Sequence, residues 1–160
     1  MWSFVVEESA VWYTIMVMEI IYDRAQLDRV VRKYGLRFAI LHGSYATGHT
    51  HKGSDLDIAV LGIRELDYRK YLSLHGEMSD IFGDNTRRDL DLKMLNKVDP
   101  FFRYQVVRDG VLLYGDTTEY EEFKLFAQRA YDDARPLLEL EHILSKKYQK
   151  YLNTFTAQYA

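Results

Sequence analysis

The chain has 160 residues, a length that fits one domain with a short appendage and is enough to bury a core. It contains no cysteine, which excludes disulfides and thiolate chemistry, and its net charge of −3 excludes a global basic field for holding nucleic acid. Hydrophobic residues make up 48% and charged residues 28%, the balance of a globular protein that folds in water.

Residues 1–21 are apolar-rich, but Glu7, Glu8 and Glu19 interrupt them, and the longest clean run, 9–18, is too short to span a bilayer. There is no basic n-region and no small-residue cleavage site, so residues 1–22 read as an amphipathic or partly disordered leader. A cytoplasmic location with no membrane association is the expectation.

Asp23 caps a helix over 24–33, with Leu27, Val30 and Val31 on one face, and Tyr34-Gly35 ends it. RFAIL, 37–41, reads as a strand running into His42-Gly43-Ser44. Residues 45–54 are rich in Gly and Thr and form a loop or one short helical turn. LDIAVLG, 56–62, has the pattern of a buried strand. Residues 64–82 place Leu66, Tyr71, Leu74, Met78 and Ile81 in helical register until Gly83 breaks it.

DLDLKML, 89–95, alternates as a strand, with Leu90 and Leu92 facing one way and Asp89 and Asp91 the other. Asp99-Pro100 opens a helix that ends near Asp109-Gly110. A short strand occupies 111–114. Thr118 and Glu121 form a capping box for a helix marked by Phe123, Phe126, Ala127, Ala130, Tyr131 and Ala134. Pro136 kinks or restarts that helix, which continues over 137–152. Strands alternating with helices give an α/β or mixed α+β fold. The expected division is a leader (1–22), a core (23–117) and a C-terminal helical segment (118–160).

The stretch from Gly43 to Val60 concentrates the chemistry. Gly43-Ser44 follows a strand, ten residues intervene, and Asp55-x-Asp57 opens the next strand. Carboxylates at i and i+2 on a strand share a face and repel one another unless cations lie between them. Paired divalent ions remove that conflict and make a phosphoryl-transfer centre, and Mg²⁺ favours carboxylate and phosphate oxygens. Glycine lets the backbone approach a phosphate, and Ser44 offers its hydroxyl and N–H. Asp89 and Asp91 both qualify by parity as a third carboxylate, with Asp91 preferred because it lies deeper in the apolar run. Each motif alone is commonplace, Asp-x-Asp as a solvated turn and the acidic strand as a wet edge. Their conjunction carries the reading.

The Gly-Ser-x(10)-Asp-x-Asp pattern at Gly43, Ser44, Asp55 and Asp57 resembles the signature of the DNA polymerase beta-like nucleotidyltransferase superfamily. LNKVDPFFRYQVVRDGVLLYG at 95–115, with RPLLELEHIL at 135–144, is similar to its minimal nucleotidyltransferase (MNT) group, so the resemblance covers about residues 24–150. It implies a small mixed sheet flanked by helices, with C-terminal helices. It also implies an antitoxin, a protein adenylyltransferase that moves AMP from ATP to a tyrosine hydroxyl of a HEPN ribonuclease toxin.

Asp55, Asp57 and Asp91 would then hold two Mg²⁺ ions, and Gly43 and Ser44 the ATP triphosphate. Thr47 departs from the pattern, standing where many relatives carry Arg. Lys52, Arg87 and Arg88 are possible cationic helpers or plain surface charges. His42, His49 and His51 read as loop residues touching nucleotide or solvent rather than zinc ligands, since no cysteine joins them. Tyr120, Tyr131, Tyr148, Tyr151 and Tyr159 would supply a partner-gripping face or core. The alternatives are an antitoxin that acts by binding alone and a small-molecule (aminoglycoside-type) nucleotidyltransferase, for whose substrate domain the chain has little room.

Overall fold

The computed structural model describes residues 12–14, 20–83 and 89–157, with backbone only for 12–14 and 155–157. A short antiparallel pair, β1 (Trp12–Thr14) and β2 (Ile21–Asp23), leads into α1 (Arg24–Tyr34). Asp23 accepts a hydrogen bond from the Gln26 N–H at 3.1 Å, and Gly35 closes the helix in the left-handed region at φ 60°. The expected boundary at residue 22 falls inside β2. Ile20 and Tyr22 are buried in the main core, so the last part of the expected leader is structural.

Then come β3 (Leu36–His42), α2 (Gly43–Thr47), β4 (Leu56–Gly62), α3 (Tyr68–Phe82), β5 (Leu90–Met94), α4 (Pro100–Asp109), β6 (Val111–Tyr114) and α5 (Thr117–Ala157). The sheet order is β5-β4-β3-β6, with β4 and β5 parallel and the other pairs antiparallel. This is the mixed α+β architecture expected, a small sheet flanked by helices.

Three local expectations change. The helix expected from residue 64 begins at Tyr68, because the Asp67 carboxylate accepts from the Lys70 N–H at 2.9 Å and caps it there. The capping box at Thr118 does not form. Asp116 caps α5 instead, its carboxylate accepting from Glu119 N–H at 2.9 Å and its carbonyl from Tyr120 N–H at 3.0 Å. Pro136 does not break α5, which runs through it as one helix of 41 residues.

Strand parity divides the sheet into two faces. Ala39, Leu41, Leu56, Ile58, Val60, Leu90 and Leu92 point into a core shared with α1 and α3. Phe38, Ile40, Ala59 and Leu95 point the other way, onto Val106 and Val107 of α4 and Tyr120, Phe123 and Ala127 of α5. The first half of α5 is therefore part of the core. Its anchor is Phe38, fully buried with ring centroids 5.6 Å from Tyr120 and 5.5 Å from Phe123. Truncating such a phenylalanine to alanine costs about 3–5 kcal/mol.

Candidate active site

On the α4/α5 face the strands change chemistry along their length. Phe38 and Ile40 of β3 give way to His42, and Ala59 of β4 gives way to Asp57 and then Asp55. The period of two keeps these residues on one face; α4 and α5 pack over its apolar end, and Phe102 of α4 reaches as far as the His42 ring. The register aligns the polar end: His42 pairs with Asp57 across β3 and β4, and Asp57 pairs with Asp91 across β4 and β5. A histidine and two carboxylates thus stand side by side across three strands. Asp55 precedes β4 and is exposed.

Burial pushes the Asp57 carboxyl above its usual range, and the nearby charges of Asp91 and Asp55 push it further, with Lys93 opposing. The crowding that the sequence pattern implied is therefore present. The cation balancing it in this structure is Lys93, whose Nζ lies 2.9 Å from Asp91 Oδ1. Asp89 lies outside β5 and is exposed, and its carbonyl accepts from the Leu56 N–H at 2.8 Å. It secures the strand pairing with its backbone, and only Asp91 is in register with Asp57.

Gly43 opens α2 against this cluster. Its φ is +69°, and a Cβ there would lie 2.1 Å from Asp57 Oδ2. Only glycine meets both conditions. His42, the residue before α2, makes no side-chain cap bond, so the first N–H groups of α2 have no capping side chain. Thr47 Oγ1 donates back to the Gly43 carbonyl at 3.2 Å and so closes the turn.

The sequence placed His42 in a loop. It is the last residue of β3, partly buried, with Nε2 enclosed and unpartnered and its ring edge-on to Phe102 at 5.9 Å. Burial lowers its pKa to about 4, against the pull of Asp91, so the imidazole is neutral at physiological pH. Parity with Ile40 would have identified its face, and parity between Asp91 and Lys93 would have flagged Lys93. His49, His51 and Lys52 are exposed in the loop, and Ser54 is buried there, its Oγ accepting from the His51 N–H at 2.9 Å. Arg87 and Arg88 lie outside the described residues.

A cleft of about 270 Å³ runs from His42 and Gly43 past Thr47 to Phe102, Gln105 and Arg108 of α4. A larger hollow of about 490 Å³ lies on the opposite face between α1 and α3, lined by Lys33, Tyr34, Arg69, Lys70 and Glu77. The smaller cleft is lined by His42, the register partner of Asp57, and by Gly43, which packs on the Asp57 carboxylate, and chemistry rather than size makes it the candidate site.

A family model described as "Polymerase beta, Nucleotidyltransferase" matches residues 25–119. The chain belongs to the polymerase beta nucleotidyltransferase family. The match spans the Gly43-Ser44 turn and the three strands that carry His42, Asp57 and Asp91. Among curated relatives, "Protein adenylyltransferase MntA" of Aphanizomenon flos-aquae is 33% identical over 59% of this chain and 65% of its own length. A protein of the same name from Shewanella oneidensis is 33% identical over 55% of this chain and 60% of its own. The chain thus spans a little under two thirds of the curated relatives it matches. A solved toxin–antitoxin structure with AMP-PNP has 25% identity and a TM-score of 0.56, covering 72% of this chain and 95% of that one. These likenesses lie within the minimal, MntA-type group of the polymerase beta nucleotidyltransferases.

Proposed function

We propose that this polymerase beta-type nucleotidyltransferase is an antitoxin that transfers AMP from ATP to a tyrosine hydroxyl of a HEPN ribonuclease toxin and so silences it. The observation that carries the reading is the aligned row His42–Asp57–Asp91, with Asp55 beside it and Gly43 packed on the Asp57 carboxylate. Support for the substrate comes from the relatives named protein adenylyltransferase and from the toxin–antitoxin neighbour with AMP-PNP.

Asp55, Asp57 and Asp91 suit Mg²⁺ as an oxygen-only donor set whose mutual repulsion a cation relieves. Among the described residues no three His, Asp or Glu side chains form a ready-made metal cage. Mg²⁺ characteristically completes its shell with waters and substrate phosphates, so a partial protein set suffices. Bound there, Mg²⁺ supplies charge neutralisation for the triphosphate.

The chain's own residues do the rest. The N–H groups of Gly43 and Ser44, which the His42 side chain does not cap, hold the triphosphate against the sheet end. Neutral His42 fills the wall behind Asp57 without adding charge. The tyrosine oxygen attacks the α-phosphorus, forming the O–P bond as the bond to the departing pyrophosphate breaks. A phenol with pKa near 10 must lose its proton on the way, and in this reading Asp91 accepts it. Lys93 holds the Asp91 carboxylate through its 2.9 Å ion pair.

Intact-mass spectrometry of the cognate HEPN toxin after incubation with this protein, ATP and Mg²⁺ tests the reading. One or more added AMP units, absent with Asp57→Ala, support it. An unmodified toxin held in a tight complex overturns the catalytic reading in favour of neutralisation by binding.

A further inference from the structure

Beside the row His42–Asp57–Asp91, the sheet register sets the row Ile40–Ala59–Lys93. Ile40 and Ala59 are fully buried in the core shared with α4 and α5. The third member of this row is a lysine where an apolar residue would continue the pattern. Parity puts Lys93 on the face of Asp91, two residues back, and its ammonium turns to that carboxylate, with Nζ 2.9 Å from Oδ1. A long aliphatic stem lets the residue root in the apolar row while its charge reaches the polar one.

The charge of Lys93 also reaches Asp57 and His42. Asp55 and Asp57 have no ion pair among the described residues, so three carboxylates share this one ammonium. A divalent ion at the cluster would need the Asp91 oxygens that Lys93 already engages, and two cations at one carboxylate repel each other.

We propose that Lys93 is a built-in counter-ion, which holds Asp91 in place while the site is empty and competes with the divalent ion for that carboxylate. It is a positioning residue, since it touches Asp91 and no reacting atom. The inference rests on the adenylyl-transfer reading at one point, Asp91 as a metal ligand. The strength of the pair suits such an exchange. The two side chains are 49% and 41% exposed, and an ion pair in that setting contributes little net free energy, whereas a deeply buried pair would resist separation. Removing Lys93 therefore has two effects of opposite sign: the metal-free fold weakens and the metal ion binds more tightly. A lysine that only supported the fold would weaken both when removed.

Titration of the full chain with Mn²⁺ alone, with free ion read by electron paramagnetic resonance, tests this. Lys93→Met should bind Mn²⁺ about two- to fivefold more tightly than wild type, the scale of an exposed ion pair. Lys93→Arg keeps the competing charge and should match wild type. Thermal melts without metal supply the second readout. Lys93→Met should lower Tm by up to about 4 °C in the wild-type background, and by less in Asp91→Asn, where the pair is already gone. Equal losses in the two backgrounds overturn the proposal. So does Mn²⁺ binding that is weakened in Asp91→Asn yet no tighter in Lys93→Met, a result that leaves Asp91 as a metal ligand. Mn²⁺ binding unchanged in Asp91→Asn removes the metal role of Asp91, and the proposal falls with it.

Discussion

Gly43→Ala separates backbone strain from damage to the acidic cluster. Alanine at φ +69° costs about 1–2 kcal/mol of left-handed strain. At 2–4 °C per kcal/mol for a chain of this size, Tm should fall by roughly 2–8 °C. The added Cβ would also sit 2.1 Å from Asp57 Oδ2, where ordinary contact begins at 3.4 Å, so the carboxylate must retreat by about 1.3 Å. A misplacement on the order of 1 Å costs about 10²-fold in rate. Gly35→Ala is the matched control, with φ +60° and nothing within 4 Å of the new Cβ. It should lose similar stability and keep full activity. Initial rates of AMP incorporation, read by intact mass beside thermal melts, measure both effects. Wild-type transfer by Gly43→Ala, or an equal loss in Gly35→Ala, would refute the proposal that Gly43 keeps the Asp57 carboxylate in place for transfer.

Asp91→Asn should reduce transfer at least about 10²-fold, the scale of a lost general base, while Asp89→Asn stays near wild type in the same assay. Asp57→Asn should raise the Tm of the metal-free protein at pH 7. The Asp57 pKa is raised in the folded state, so ionising it disfavours folding as pH climbs past the normal carboxylate range, and a neutral amide escapes that penalty. A Tm at or below wild type would contradict the crowding. Tyr120 is buried with its hydroxyl unpartnered and its pKa pushed up to about 12. The folded state therefore keeps a proton that the unfolded chain releases near 10, and stability falls between those values by up to roughly 2–3 kcal/mol. Urea melts at pH 8 and pH 11 should show Tyr120→Phe losing less stability than wild type, and equal losses would refute the assignment.

Most of the fold was legible from local physics. Asp23 and Asp99 cap the helices they were expected to cap, Gly35 ends α1, and the strands over 36–42, 56–62 and 90–94 follow from their apolar patterns. The candidate acidic residues were legible as well, because i, i+2 spacing on a strand fixes a shared face whatever surrounds it. Tertiary structure decided what depends on neighbours distant in sequence. The parallel register of β4 and β5 puts Asp91, and not Asp89, level with Asp57. The β3–β4 pairing turns His42 from an apparent loop residue into a neutral strand residue beside the carboxylates. Competition among short-range acceptors moved the start of α5 to Asp116, which reaches both the Glu119 and Tyr120 N–H groups. Spacing along one chain specifies faces and ends, but it carries no information about which strand lies alongside which. For that reason the residue types of the candidate site could be read from the sequence, and their alignment only from the fold.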